Sequence, residues 1–390
     1  MEEQFNFDEI RPYRDYEVRE VMDRLLKNPT FIQLLKYIYP KVPQENYRVL
    51  LADVNTIDDF QRKISHPAMR LIVDKTTTSF TFSGFDELNQ KKAYTFISNH
   101  RDIILDSALL SVILIENGFN TNETAIGDNL LKDEVVKDLT KLNKNFEVKR
   151  NTSKKDFFMN SLRMSAYIID SVKNRDVSIW IAQREGRTKD GIDKTQPGLI
   201  KMLGLQGKDH FEECYKSLNI VPMAISYEFD PCDVLKITEQ KLAARNEKYT
   251  KAENDDYNSI IAGITGKKGG IHLAVAKPII AEIDALSHFH NVNDKVKMLC
   301  EMIDASIYKS YKLWPTNYIA ADLILRDDTY KNYYTESEKQ NFIDYKNERL
   351  ASKGFTEEED HMLFLNMYGN TVFTCAKYSE SKVETLRTKN

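Results

Sequence analysis

The sequence predicts an α/β protein: a mixed, largely parallel sheet flanked by helices, with helical regions at both ends of the chain. Two observations predict it. Between about residues 77 and 276, short β-branched and aromatic runs alternate with stretches whose apolar residues recur at helical spacing. Outside that span the periodicity is helical alone. The 390 residues therefore divide into an N-terminal helical region 1–69, a central α/β domain 70–280 and a C-terminal helical region 281–390.

In the N-terminal region Val18, Val21, Met22, Leu25 and Leu26 make one helical stripe, and Phe31, Leu34, Leu35 and Ile38 the next, with Pro40 and Pro43 as punctuation. The first strand is expected over 77–82, where Thr and Ser alternate with Phe80 and Phe82 before a Ser83-Gly84 turn. A second follows over 93–98, handing over to a helix over 103–116. The cadence continues with strands at 124–127 and 146–149 separated by a helix over 134–142, then a helix over 155–173 and a strand over 177–182. Strands over 220–227 and 270–276 enclose a charged helical insertion, 234–264. Beyond Pro278 a stripe of Val296, Leu299, Cys300, Ile303 and Ile307 marks a helix. Thr335 with Glu338, and Thr356 with Glu359, read as capping boxes, Gly369 as a helix stop, and the tail past Tyr378 as polar and frayed.

Composition narrows the function classes. The chain is 42% hydrophobic and 29% charged, an ordinary folded balance. Lys and Arg number 55 against 59 Asp and Glu, a net charge of −4 that gives no electrostatic case for a nucleic-acid partner. Cys214, Cys232, Cys300 and Cys375 are far apart and show no metal-ligand spacing, which fits reduced thiols in a cytoplasmic protein. The N-terminal Met1-Glu-Glu-Gln-Phe lacks the basic and apolar regions of a signal peptide. The longest apolar run, 108–115, is too short to span a bilayer and contains Ser111, which leaves peripheral contact with a membrane surface as the membrane expectation.

Four segments place polar groups where a strand ends. Asn99-His100-Arg101-Asp102 sits between the strand over 93–98 and the next helix, with Asp106 close by. A histidine at such a corner serves either packing or chemistry. A carboxylate that takes a proton from one imidazole nitrogen leaves the other free as a general base toward a hydroxyl. Gly127-Asp128-Asn129 and Phe146-Glu-Val-Lys149-Arg150 end the next two strands. Gln183-Arg184-Glu185-Gly186-Arg187 follows the strand that contains Trp180, itself read as core. Guanidinium and ammonium groups at neighbouring strand ends suit a phosphate or carboxylate, and Gly186 would let backbone approach it; a solvated charged loop is the plain alternative. Val221-Pro222…Tyr227 is the fourth segment.

Taken in this order, the four segments resemble the blocks of the glycerol-3-phosphate / 1-acylglycerol-3-phosphate acyltransferase superfamily, phospholipid-synthesis enzymes with an NHxxxxD-type motif. Asn99-His100-Arg101, Gly127-Asp-Asn129 with Phe146 and Arg150, Glu185-Gly186-Arg187, and Val221-Pro222 fill those blocks, over roughly residues 77–280. The chain departs from the pattern twice. His100 and Asp106 stand one position further apart than the usual His-x4-Asp, and no residue separates Gly186 from Arg187. Asp106 is preferred to Asp102 as the partner because Ser-Ala-Leu-Leu follows it, as in the family's apolar helix.

The resemblance implies a glycerol-phosphate acyltransferase-like fold and acyl transfer from an acyl-CoA or acyl-ACP thioester to a hydroxyl of glycerol 3-phosphate, a lysophosphatidate or a related lipid. His100 would be the base and Asp106 would orient it, with an oxyanion stabilised at the start of the following helix. Arg150 and Arg187, with Arg101 and Lys149 beside them and Glu185-Gly186 in the loop, would hold the acceptor's phosphate. It implies no metal or cofactor beyond the thioester, which is already activated. The partners would be the acyl donor, acyl carrier protein if that is the carrier, and a membrane surface at the inner face of a bacterial membrane.

Two rival readings meet the same residues. His100-Arg101-Asp102 copies a protein kinase triplet, but Ser107 stands where that loop needs Asn, and no Asp-Phe-Gly or glycine-rich loop accompanies it. The other rival is a non-catalytic lipid or acyl-carrier binding module on the same fold. His288-Phe-His290 has metal-like spacing without an evident third ligand.

Overall fold

The computed structural model describes residues 5–149, 153–207, 210–244 and 255–380. Its N-terminal layer is α1 (Asp15–Leu25), α2 (Pro29–Ile38), α3 (Tyr47–Leu50), α4 (Ile57–Phe60) and α5 (His66–Thr76), which runs straight into β1 (Thr77–Ser83) across the expected boundary at residue 69. The alternating part follows as β2 (Thr95–Ser98), α6 (Leu105–Glu116), β3 (Glu123–Gly127), α7 (Glu134–Leu142), β4 (Asn145–Val148), α8 (Lys154–Lys173) and β5 (Ile179–Ala182). Then come α9 (Pro197–Leu203), α10 (Phe211–Ser217), β6 (Ile220–Tyr227), α11 (Asp233–Ala244), α12 (Asp255–Thr265) and β7 (Gly269–Val275). The chain closes with α13 (Ile280–Asp284), α14 (Val292–Ser310), α15 (Pro315–Leu325), α16 (Glu336–Ala351) and α17 (Glu358–Glu380). The expected insertion over 234–264 is thus α11 and α12; the link 245–254 and the tail past 380 lie outside the described residues.

The seven strands form one sheet in the order β1-β7-β6-β2-β5-β3-β4. β2 through β6 run parallel, while β7 pairs antiparallel with β6 and parallel with β1, so the sheet is mixed and mostly parallel. Both faces are covered, as the near-continuous apolar strands require. In β6, Val221, Met223 and Ile225 pack with α5 and α6, while Ile220 and Ala224 pack with α8, α9 and α14 on the other face. α6 is buried on nearly every side, which is why its sequence is apolar all round. The N-terminal helices keep a core of their own around Phe31, Leu35 and Phe60. Among the described residues no helix is long and apolar enough to cross a membrane.

Two C-terminal expectations need correction. Gly369 does not stop a helix; it lies within α17, where a Cβ would come within 2.6 Å of Ile324 Cδ1 and 3.1 Å of the Ala321 nitrogen. The glycine is there for close packing of α17 on α15. At the start of α17, Asp360 rather than Glu359 caps the backbone, accepting from the Glu357 N–H at 3.1 Å. The box at Thr335 and Glu338 forms as expected.

Candidate active site

The parallel strands all end at one edge of the sheet, so the segments after β2, β5, β3 and β4 emerge side by side there. At the end of β2 the side chain of Asn99 takes over from the backbone ladder. Its Nδ2 donates to the Ile225 carbonyl at 2.9 Å, and its Oδ1 accepts from the Ile225 N–H at 2.8 Å. The main chain is thereby free to turn away from β6 while still pinned to it. His100 comes next, its carbonyl accepting from the Thr188 N–H at 2.9 Å, which ties the β5 exit loop to this corner.

Of the two nearby carboxylates, Asp106 faces the imidazole. His100 Nδ1 lies 2.8 Å from Asp106 Oδ2, which also accepts from the backbone N–H of Arg101 at 2.6 Å and of Asp102 at 3.0 Å. Tyr227, the last residue of β6, donates its hydroxyl to Asp106 Oδ1 at 2.8 Å. Asp106 is fully buried and its other partners are donors, so it acts as acceptor there and Nδ1 is the donating nitrogen. In the neutral imidazole that tautomer leaves the lone pair on Nε2. The histidine side chain keeps 15% of its surface exposed, which admits a small group to it. The Trp180 ring stands edge-on to the imidazole, centroids 5.6 Å apart, and limits its rotation.

Asp102 has a different task. Its Oδ1 accepts from the N–H of Ile104 and Leu105, both at 2.9 Å, and so starts α6 two residues later than the apolar pattern suggests. Burial, and then the neighbouring charge of Asp106, push its carboxyl above the usual range. Its Oδ2 is buried without a protein partner, and a Cβ on Gly263 of α12 would come within 2.2 Å of it. The N–H groups of Arg101, Asp102, Ile104 and Leu105 are all taken by these two carboxylates. An oxyanion at the start of α6 would therefore have to use other donors than these four.

The cations expected to converge do not all do so. Arg101 turns inward: Nη2 meets Asp193 Oδ2 at 2.5 Å, and its guanidinium lies 5.7 Å from the centroid of the Tyr311 ring. Arg187 is also buried, donating to Ser259 Oγ at 3.1 Å with Glu239 3.6 Å away, although its Nη1 has no protein partner. Lys149 pairs with Glu147 at 2.6 Å. Arg150 lies outside the described residues. Glu185 is exposed on the loop after β5, its N–H bonded to Gln196 Oε1 at 2.9 Å. Gly186 adopts φ +75° with open space where a Cβ would be, so its backbone can be approached closely.

The C-terminal helices hold this loop in shape. Asp304 of α14 accepts from the N–H and hydroxyl of Thr195 at 2.8 and 2.5 Å, and the Tyr308 hydroxyl accepts from the Asp193 N–H at 2.6 Å. From α17, Asn370 and Thr371 donate to the carbonyls of Asp190 and Gly191 at 2.9 and 3.2 Å. Gly191 itself has φ +75°, and a Cβ there would sit 2.6 Å from the Met367 carbonyl oxygen. Gly191→Ala is accordingly expected to cost about 1–3 kcal/mol of stability, read as a lower urea midpoint; an unchanged midpoint would show that the loop relaxes freely.

Asp193 and Asp304 were not singled out in the sequence, and Tyr227 was named only as the end of the fourth segment, with no role. Tyr227 carried a signal, since it closes the Val221-Pro222 strand, but its reach to Asp106 depends on β6 lying beside β2. Trp180 belongs to the core, as its strand position suggests, and also to the wall of the site.

No known protein-family model matches the chain, and no curated protein matches it. Among solved structures it is similar to the 1-acyl-sn-glycerophosphate (LPA) acyltransferase PlsC from Thermotoga maritima. The identity is 13%, over 73% of this chain and 95% of that one, with a TM-score of 0.39. At that level the two share a general α/β architecture at most, and the functional reading rests on this chain's own residues.

Proposed function

We propose that the protein is an O-acyltransferase that moves a fatty acyl group from an acyl-CoA or acyl-ACP thioester to a hydroxyl of glycerol 3-phosphate, lysophosphatidate or a related lipid. The observation that carries this reading is the buried Asp106 holding His100 Nδ1 at 2.8 Å, which in the neutral imidazole puts the lone pair on Nε2 at the strand-end edge of the sheet. In the step, Nε2 takes the proton of the acceptor hydroxyl as its oxygen attacks the thioester carbonyl. The tetrahedral intermediate then collapses, the carbon–sulfur bond breaks, and the imidazolium returns the proton to the departing thiolate. The products are the ester and the free thiol.

Lys149 and Arg150 after β4, and Arg187 through its unpartnered Nη1, are the cations proposed to take the acceptor's phosphate. Arg101 is not proposed there, because it is buried in its ion pair with Asp193, whereas Lys149 is partly exposed and would exchange Glu147 for the phosphate. The test is thiol release and ester formation with glycerol 3-phosphate and lysophosphatidate as acceptors. Background turnover on both, unchanged in His100→Ala, would instead support a binding module.

Tyr227 follows from the same geometry as a positioning residue. Tyr227→Phe removes one hydrogen bond to a charged carboxylate, and kcat is expected to fall about tenfold to a hundredfold with KM little changed. A variant with the wild-type kcat would show that the backbone N–H groups alone orient Asp106.

A further inference from the structure

Lys236 of α11 is wholly buried. An ammonium group cut off from water is costly to place and needs its charge answered. Asp230, just beyond β6, answers it as an ion-pair partner, and a plain structural account would end there. The lysine has a second partner, however. Its Nζ also donates to the carbonyl oxygen of Arg101 at 2.9 Å, beside the His100 corner and 135 residues away in the chain.

The Arg101 carbonyl and the Asp102 N–H belong to one peptide group. That N–H donates to Asp106 Oδ2 at 3.0 Å, the same oxygen that faces His100 Nδ1 at 2.8 Å. Resonance joins the two ends of a planar peptide, so a cation at the carbonyl oxygen makes the N–H a stronger donor. A continuous line thus runs from ammonium to carbonyl, from N–H to carboxylate and from carboxylate to imidazole. Lys236, Arg101, Asp102 and Asp106 are all buried, so little water screens it. Two further residues show that α11 is aimed at this edge. Three and four positions on, Glu239 meets Lys189 at 3.1 Å and Gln240 donates to the Lys189 carbonyl at 2.8 Å. One side of the helix therefore holds the exits of β2 and β5 together.

We infer that Lys236 is a positioning residue for the His100–Asp106 pair, acting through the Arg101–Asp102 peptide and not by contact with substrate. Its effect on turnover rests on the acyltransferase reading, whereas the coupling is measured without substrate, so the two fail separately. The sequence contains four Arg-Asp peptide bonds, at 14–15, 101–102, 175–176 and 326–327. The full chain labelled with carbonyl-13C arginine and 15N aspartate therefore reports the Asp102 amide beside three internal controls. The variant is Lys236→Met/Asp230→Asn, which removes both charges and leaves no buried carboxylate unanswered. With an unchanged circular dichroism spectrum, its Asp102 amide proton is expected to move upfield while the other three stay. Lys236→Gln/Asp230→Asn, which keeps a neutral donor, should move the same signal in the same direction by less. Asp230→Asn alone keeps the lysine and should move it least. In the Lys236→Met double variant kcat is expected to fall about threefold to tenfold with KM little changed.

An Asp102 amide proton that stays in place in both double variants overturns the inference. So does one displaced equally by Asp230→Asn, which would assign the effect to the carboxylate. Displacement of all four signals would make Lys236 a general structural support, and a displaced amide with the wild-type kcat would remove its positioning role. A wild type without turnover would sink the acyltransferase reading, and the amide signals would still decide the coupling.

Discussion

His100→Ala is expected to lower thioester-dependent acylation by about 10²–10⁴-fold while leaving the fold intact. The imidazole is partly exposed, and its ring contact is with the rim of Trp180 rather than with a filled core, so its removal leaves little cavity to destabilise the protein. The measurement is kcat/KM for thiol release, paired with a thermal or urea transition to confirm folding. A transition shifted by less than a degree or two alongside a collapsed rate would place the residue in the chemistry. A rate within threefold of wild type would remove it from there.

Asp106→Asn is expected to have the second-largest effect, and for a different reason. The amide is nearly the same shape but has one acceptor oxygen where the carboxylate has two, Oδ1 facing the Tyr227 hydroxyl and Oδ2 facing Nδ1 and the N–H groups of Arg101 and Asp102. In either orientation it lacks the negative charge that stabilises an imidazolium. If the amide turns its nitrogen to His100, the proton moves to Nε2 and the base is lost. A fall in kcat of about 10³–10⁴-fold is expected by analogy with the serine protease aspartate. The control is Asp102→Asn, at a carboxyl that burial already keeps toward its neutral form. That change should leave kcat within a few-fold of wild type, and a larger loss would move the dyad's partner from Asp106 to Asp102.

The sheet could be read along the chain because its strands are short apolar runs bounded by Pro, Gly and Asn. The strand expected over 220–227 is β6 to the residue, and the helix expected over 134–142 is α7. The His100–Asp106 pairing was also within reach, since both partners belong to one turn of chain. What could not be read was where long side chains spend their charge. Arg101 looked like a ligand-binding cation until the fold brought in Asp193, 92 residues further on. Gly369 failed for a similar reason: a glycine that ends a helix and one that lets two helices touch are the same letter, and only the position of α15 separates them. Local chemistry was readable, and distant partners were not.

The bonds from α17 to the Asp190–Gly191 carbonyls also bear on how the protein is made. A nascent chain exposes its segments in order, and the sheet, His100 and Asp106 all leave the ribosome well before residues 358–380 do. Until α17 docks, the loop after β5 lacks two of its anchors, and the close contact of Gly191 with the Met367 carbonyl is not yet made. A polypeptide interrupted or clipped ahead of α17 would carry the His100–Asp106 pair in place beside an unformed wall.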